Sequence, residues 1–155
     1  MNKTSHLTLI TTGLALALGL TGCATEERVA VSKLPPAVQT TVKQVVGSGT
    51  IKSTSREAEK DGRVLYEVAY VAGGRSFEAE ISPEGKLLVV DEAIALAAAP
   101  DAVQKTILAQ IAGGRIIKFE KATQGTEVFY EAEFKKGGKT HEVKVAPDGK
   151  VLAVE

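Results

Sequence analysis

The chain has 155 residues, with 19 Lys+Arg against 19 Asp+Glu, one Cys, one Met and no Trp. A formal charge of zero gives no electrostatic drive towards nucleic acid, whose binding rests on Lys and Arg neutralising phosphates. A single Cys excludes an internal disulfide and any multi-cysteine metal site. The length allows one domain of ordinary size or two very small ones.

Residues 1–22 read as an export signal. Lys3 supplies the positive start, and an apolar run follows from Leu7 to Leu20. That run is shorter than the ~20 apolar residues a membrane span needs. It closes on Leu20-Thr21-Gly22-Cys23. This resembles the bacterial lipobox: a Leu, two small residues, then the Cys that takes a lipid on its thiol and becomes the new N-terminus. The resemblance makes Cys23 the lipidation site and implies a lipid-anchored, periplasm-facing protein of a bacterial envelope. Ala24, where an Asp would favour inner-membrane retention, points to the outer membrane in a Gram-negative host. Two or more acyl chains anchor stably, since each buried methylene contributes ~0.8 kcal/mol. Residues 23–33 then read as the lipidated Cys and a polar tether, which as flexible coil reaches roughly 18 Å.

Beyond the tether the sequence repeats itself. Pro35, Ala37, Val38, Gln39, Thr41, Gly49 and Ile51 recur as Pro100, Ala102, Val103, Gln104, Thr106, Gly114 and Ile116. Further on, Tyr66-Glu67, Gly73-Gly74, Glu78 and Pro83-Glu-Gly85-Lys86 recur as Tyr130-Glu131, Gly137-Gly138, Glu142 and Pro147-Asp-Gly149-Lys150. From Tyr66 to Asp91, ten of 26 positions are identical to those 64 further on, well above chance. The reading is therefore a duplication, with repeat 1 over residues 34–92, then a connector and repeat 2 over 93–155.

Each repeat reads as one helix followed by four strands. Pro35-Pro36 opens the first helix, Val38, Val42, Val45 and Val46 follow at helical spacing, and Gly47 and Gly49 end it. Pro100 opens the second, Val103, Ile107 and Ile111 form its stripe, and Gly113-Gly114 ends it. Ile94 and Leu96 make the connector a packed segment with a short helical turn. The strands alternate: Val64, Tyr66, Val68 and Tyr70 share a face, as do Val128, Tyr130, Ala132 and Phe134. Phe77, Ala79 and Ile81, and then His141, Val143 and Val145, face the same way. Tight turns such as Gly73-Gly74 and Pro83-Glu-Gly85 make the connections hairpins. The predicted fold is α+β: two tandem repeats, each one helix packed on a four-stranded antiparallel meander sheet.

This arrangement resembles the PepSY-like family and the related β-lactamase-inhibitor-like modules. The resemblance rests on Leu34-Pro35-Pro36-Ala37-Val38, Tyr66-Glu67, Glu78, Ser82-Pro83-Glu84-Gly85-Lys86-Leu87-Leu88 and their second copies. It implies a small secreted or membrane-attached domain that regulates or inhibits peptidases or other envelope proteins. No functional residue carries over. The lactamase-blocking branch uses disulfides and an aromatic-rich face, both of which this chain lacks.

Catalysis needs a nucleophile or base with partners. The one His outside the signal, His141, matches Phe77 in the first copy and reads as a core-capping residue. No catalytic residue, metal ligand set or cofactor is assigned. The acids carry the candidate site. Glu67, Glu78, Glu80, Glu131, Glu133 and Glu142 all point away from the helices, onto an open sheet face. That face suits a protein partner with a basic or polar surface, such as an envelope peptidase. The alternative is a structural or sensory lipoprotein that binds cations or cell-wall fragments there. Lys135, Lys136 and Lys139 form a solvated hairpin tip, and Arg75 and Lys144 partly neutralise the acids.

Overall fold

Proline sets the start of both helices. In the computed structural model, which describes residues 23–59 and 62–154, α1 spans Pro36–Val46 behind Pro35, and α2 spans Asp101–Gln110 behind Pro100. Proline suits this position because its φ is fixed near the helical value and its missing N–H has no helical partner to lose. One turn of 3₁₀ helix precedes each, at Val31–Lys33 and Leu96–Ala98. The second of these is the short helical turn expected in the connector.

The rest of the chain is strand. β1 (Cys23–Arg28), β2 (Thr50–Glu59), β3 (Val64–Ala72), β4 (Arg75–Ile81) and β5 (Leu87–Ala93) are followed by β6 (Arg115–Gln124), β7 (Glu127–Lys136), β8 (Lys139–Val145) and β9 (Val151–Val154). They form one antiparallel sheet in sequence order, β1 to β9.

This corrects the predicted fold class. The chain is not two tandem helix-plus-four-strand units: it is a single nine-stranded sheet, mostly β, with two short helices on it. The joining step is the pairing of β5 with β6, where Val90, Asp91, Glu92 and Ala93 oppose Thr123, Ala122, Lys121 and Glu120. A strand at a sheet edge leaves a row of unpaired N–H and C=O groups. Pairing β5 with β6 removes two such edges at once.

The proposed export signal lies outside the described residues. The segment expected as a flexible tether is ordered instead. β1 pairs with β2 through Thr25↔Ala58, Glu26↔Glu57, Glu27↔Arg56 and Arg28↔Ser55. The backbone of Val29 then donates to the Thr54 carbonyl, as that of Ile94 does to the Phe119 carbonyl. β1 thus covers the edge of β2 as β5 covers the edge of β6.

Both helices pack on one face. α1 buries Val38, Val42 and Val46 against Val68, Tyr70, Ala79 and Ile81. α2 buries Val103 and Ile107 against Tyr130, Ala132, Phe134, Val143 and Val145. His141 lies in this helix-side layer, stacked on Phe134 with ring centroids 5.4 Å apart, as its match to Phe77 predicts. A hydroxyl on each helix also ties a hairpin down: Thr41 Oγ1 donates to the Gly85 carbonyl at 2.5 Å, and Thr106 Oγ1 to the Gly149 carbonyl at 2.7 Å. Thr106→Val keeps the shape and removes the donor, so urea denaturation should show a loss of about 1 kcal/mol. An unchanged midpoint would mean that water replaces the hydroxyl at no cost.

Candidate functional site

The face of the sheet away from the helices is where the acidic residues gather. Strand alternation puts all six predicted residues, Glu67, Glu78, Glu80, Glu131, Glu133 and Glu142, on it. The sheet adds Glu26, Glu57, Asp91, Lys118, Glu120 and Lys144 to the same side. Five register pairs on this face set one carboxyl directly across from another among the described residues: Glu26↔Glu57, Glu67↔Glu80, Glu78↔Asp91, Glu120↔Glu131 and Glu133↔Glu142. Like charges directly opposite each other destabilise a sheet.

Two lysines relieve part of this repulsion. Lys118 reaches over the end of β5, placing Nζ 2.5 Å from Glu78 Oε2 and 3.0 Å from Glu120 Oε2. Burial works against its charge, but the two carboxylates outweigh it and hold Lys118 above the usual lysine range. Lys144 Nζ lies 2.7 Å from Glu131 Oε1 and 4.1 Å from the centre of the Phe129 ring. The first contact is chiefly Coulombic, since Glu131 Oε1 makes no well-aligned hydrogen bond. Arg75 behaves differently from the sequence expectation: it pairs with Glu92 at 2.8 Å, and Glu92 stands opposite Phe77 on the helix side.

Three further acids on this face, Glu67, Glu80 and Asp91, are half-buried or buried. Asp91 is 7% exposed, and its Oδ1 makes no hydrogen bond; nor does Glu80 Oε2. Burial, reinforced by neighbouring carboxylates, raises Glu67 to about 7 and Glu80 and Asp91 to about 8. For Glu80 the chief charged neighbour is Asp91; for Asp91 it is Glu131. Burial raises Glu120 too, against the pull of Lys118. Val89 and Ala122 are fully buried beside them, with Phe129, although neither α1 nor α2 packs on this side. The predicted open face is therefore half-buried at its centre.

A shallow cleft opens where β5 leaves the sheet at Ala93. Ser76, Phe77, Glu78, Lys118 and Glu120 help to line it. Among the described residues, no group of three or more His, Cys, Asp or Glu side chains is placed to hold a metal ion.

No family model and no curated protein matches the chain. Solved structures do. A protein of Bacteroides eggerthii assigned to the periplasm superposes with a TM-score of 0.64 at 16% identity, over 78% of this chain and 87% of its own. A DUF2874 family protein of Bacteroides uniformis gives 0.63 at 12%, over 78% and 88%. A BLIP-like protein of Bacteroides fragilis gives 0.59 at 18%, over 77% and 83%. The chain shares their fold. At these identities the likeness extends to the fold and carries no residue's role across.

Sequence reasoning missed Asp91, Lys118 and Glu120. Alternation in Leu87–Ala93 does put Asp91 opposite Val90 and Glu92 in direction, but its position became meaningful only once β5 was paired with β6. Lys118 can reach Glu78 only across that same junction.

Proposed function

We propose that this protein is a non-enzymatic, lipid-anchored binding module of the bacterial envelope, which holds a protein partner against its acidic sheet face. The observation that carries this is the set of five carboxyl pairs on the one face, away from both described helices. A fold under no other demand would not keep like charges in register. A basic partner surface converts that repulsion into attraction, and such charges set specificity and association rate. The structural neighbours support the setting. One is assigned to the periplasm and another is BLIP-like. Regulation or inhibition of an envelope peptidase is the finer version. Lipidation at Cys23, the first residue of β1, would hold one edge of the sheet close to the membrane.

The test is crosslinking capture from intact host envelopes, with the Glu78→Lys/Glu142→Lys double variant as control. Circular dichroism and melting first establish that the variant is folded. One stoichiometric partner, reduced about tenfold in the control and weakened by salt, is the expected result. Equal capture by both proteins would remove this face from the function.

A further inference from the structure

Two corresponding places on the acidic face differ in one residue. In the β7–β8 pair, Glu131 stands opposite Lys144. In the β3–β4 pair, Glu67 stands opposite Glu80. The sequence match of Tyr66-Glu67 to Tyr130-Glu131 makes these equivalent positions, with Glu80 where the other pair has Lys144. One pair is thus closed by its own ammonium group. The other has a second carboxyl in its place.

No ion pair to another described residue closes that second site. Lys118 is already shared between Glu78 and Glu120. Asp91, 7% exposed with Oδ1 unmatched, adds a third carboxyl beside Glu80. Glu26 and Glu57 from β1 and β2, Glu78 from β4, and Glu120 and Glu131 from β6 and β7 surround the cluster. These neighbours are acidic; Lys118, already shared between Glu78 and Glu120, is the cation that acts on Glu67 and Asp91 as well.

We infer that the Glu67–Glu80–Asp91 cluster receives an arginine side chain of the protein partner, which takes the place Lys144 holds opposite Glu131. A guanidinium fits better than a metal ion because the described carboxyls are not grouped to chelate one. It also fits better than an ammonium: its planar fork of five N–H donors can serve two carboxylates at once. This inference rests on the proposed binding face and names what that face selects.

The test uses the Glu80→Lys variant, which restores the missing cation within the chain. Labelled hexa-arginine serves as the probe, read by fluorescence anisotropy at low salt and pH 9, above the range to which burial raises Glu80 and Asp91. Wild-type protein should bind it about tenfold more tightly than Glu80→Lys or Asp91→Asn. Asp101→Lys, on the exposed start of α2, makes the same net charge change as Glu80→Lys elsewhere and should leave binding unchanged. Glu80→Lys should also melt several degrees above wild type.

Equal weakening by Glu80→Lys and Asp101→Lys would overturn the inference, leaving only general attraction between net charges. A lower melting point for Glu80→Lys would overturn it too, as would displacement of the peptide by millimolar calcium alone. The envelope capture separates the two readings. A partner lost with Glu78→Lys/Glu142→Lys but kept by Glu80→Lys preserves the face and rejects the arginine site. A partner kept by both rejects the face itself.

Discussion

Gly85→Ala and Gly149→Ala should each remove about 3 kcal/mol of stability, from two terms of similar size. Both glycines sit at the tip of a hairpin pressed against a helix, and both adopt positive φ, +84° and +87°. An L-residue there costs about 1–2 kcal/mol in backbone conformation alone. A methyl group would also meet the first turn of the helix. It would lie 2.8 Å from the Ala37 carbonyl carbon and oxygen at Gly85, and 2.8 Å from the Ala102 carbonyl oxygen at Gly149. Neither neighbour can swing aside, because both are helix backbone. The overlap would push the hairpin off the helix and strain the threonine hydrogen bonds that tie them, at a further cost of about 1–3 kcal/mol. With total stabilities of ~5–15 kcal/mol for ordinary domains, either variant loses a large share. Urea denaturation followed by hydrogen exchange checks this. Because β5 and β6 make the sheet continuous, both variants should shift one shared transition. If Gly149→Ala opened residues 101–154 while 34–92 stayed protected, the sheet would not be the cooperative unit.

The outcome bears on what the sequence could reveal. Helix starts, hairpin turns and the inward set of each central strand were legible. Prolines, glycines and period-2 alternation act locally, within a few residues. Val64 to Tyr70 shows its helix-facing set, of which Val68 and Tyr70 are buried, without reference to any other strand; the burial of Leu65 on the opposite face does not follow from that pattern. What joined the sheet was not legible. β1 reads Cys-Ala-Thr-Glu-Glu-Arg, with no apolar alternation to mark it as a strand. Its pairing with β2 is made of backbone hydrogen bonds, which any side chain permits. The β5–β6 junction is likewise a matter of two edges meeting, and four register pairs suffice to form it. The site divides along the same line. Alternation placed six glutamates on one face. Which of them are neutralised, and which are buried unpaired, depends on Lys118 and Asp91 meeting across that junction.

The buried carboxyls predict an unusual dependence on pH: the protein should be most stable near pH 5 and lose stability steadily as the pH rises to 8.5. In the unfolded chain Glu67, Glu80 and Asp91 release their protons near pH 4. In the folded protein burial, with neighbouring carboxylates adding to it, keeps Glu67 protonated to about 7 and Glu80 and Asp91 to about 8. Between those limits the folded state binds more protons than the unfolded one, so stability falls with rising pH. Above about 8 the difference vanishes and the curve flattens. Holding one carboxyl neutral over that span corresponds to about 2–4 kcal/mol. Urea unfolding of wild type at pH 5.0 and 8.5, beside Glu80→Gln and Asp91→Asn, tests it. Each variant removes one titrating group, so each should reduce the slope and be more stable than wild type at pH 8.5. A wild-type curve that is flat or rises over this range would show that these carboxyls are ionised and already compensated. The same protons connect stability to binding. A cationic partner favours the ionised carboxyls, so it must expel protons as it docks, and its affinity should rise from pH 6 to pH 8.5. The sheet is thus least stable by itself under the conditions in which it binds best, which is the behaviour of a surface whose missing counter-charge comes from another molecule.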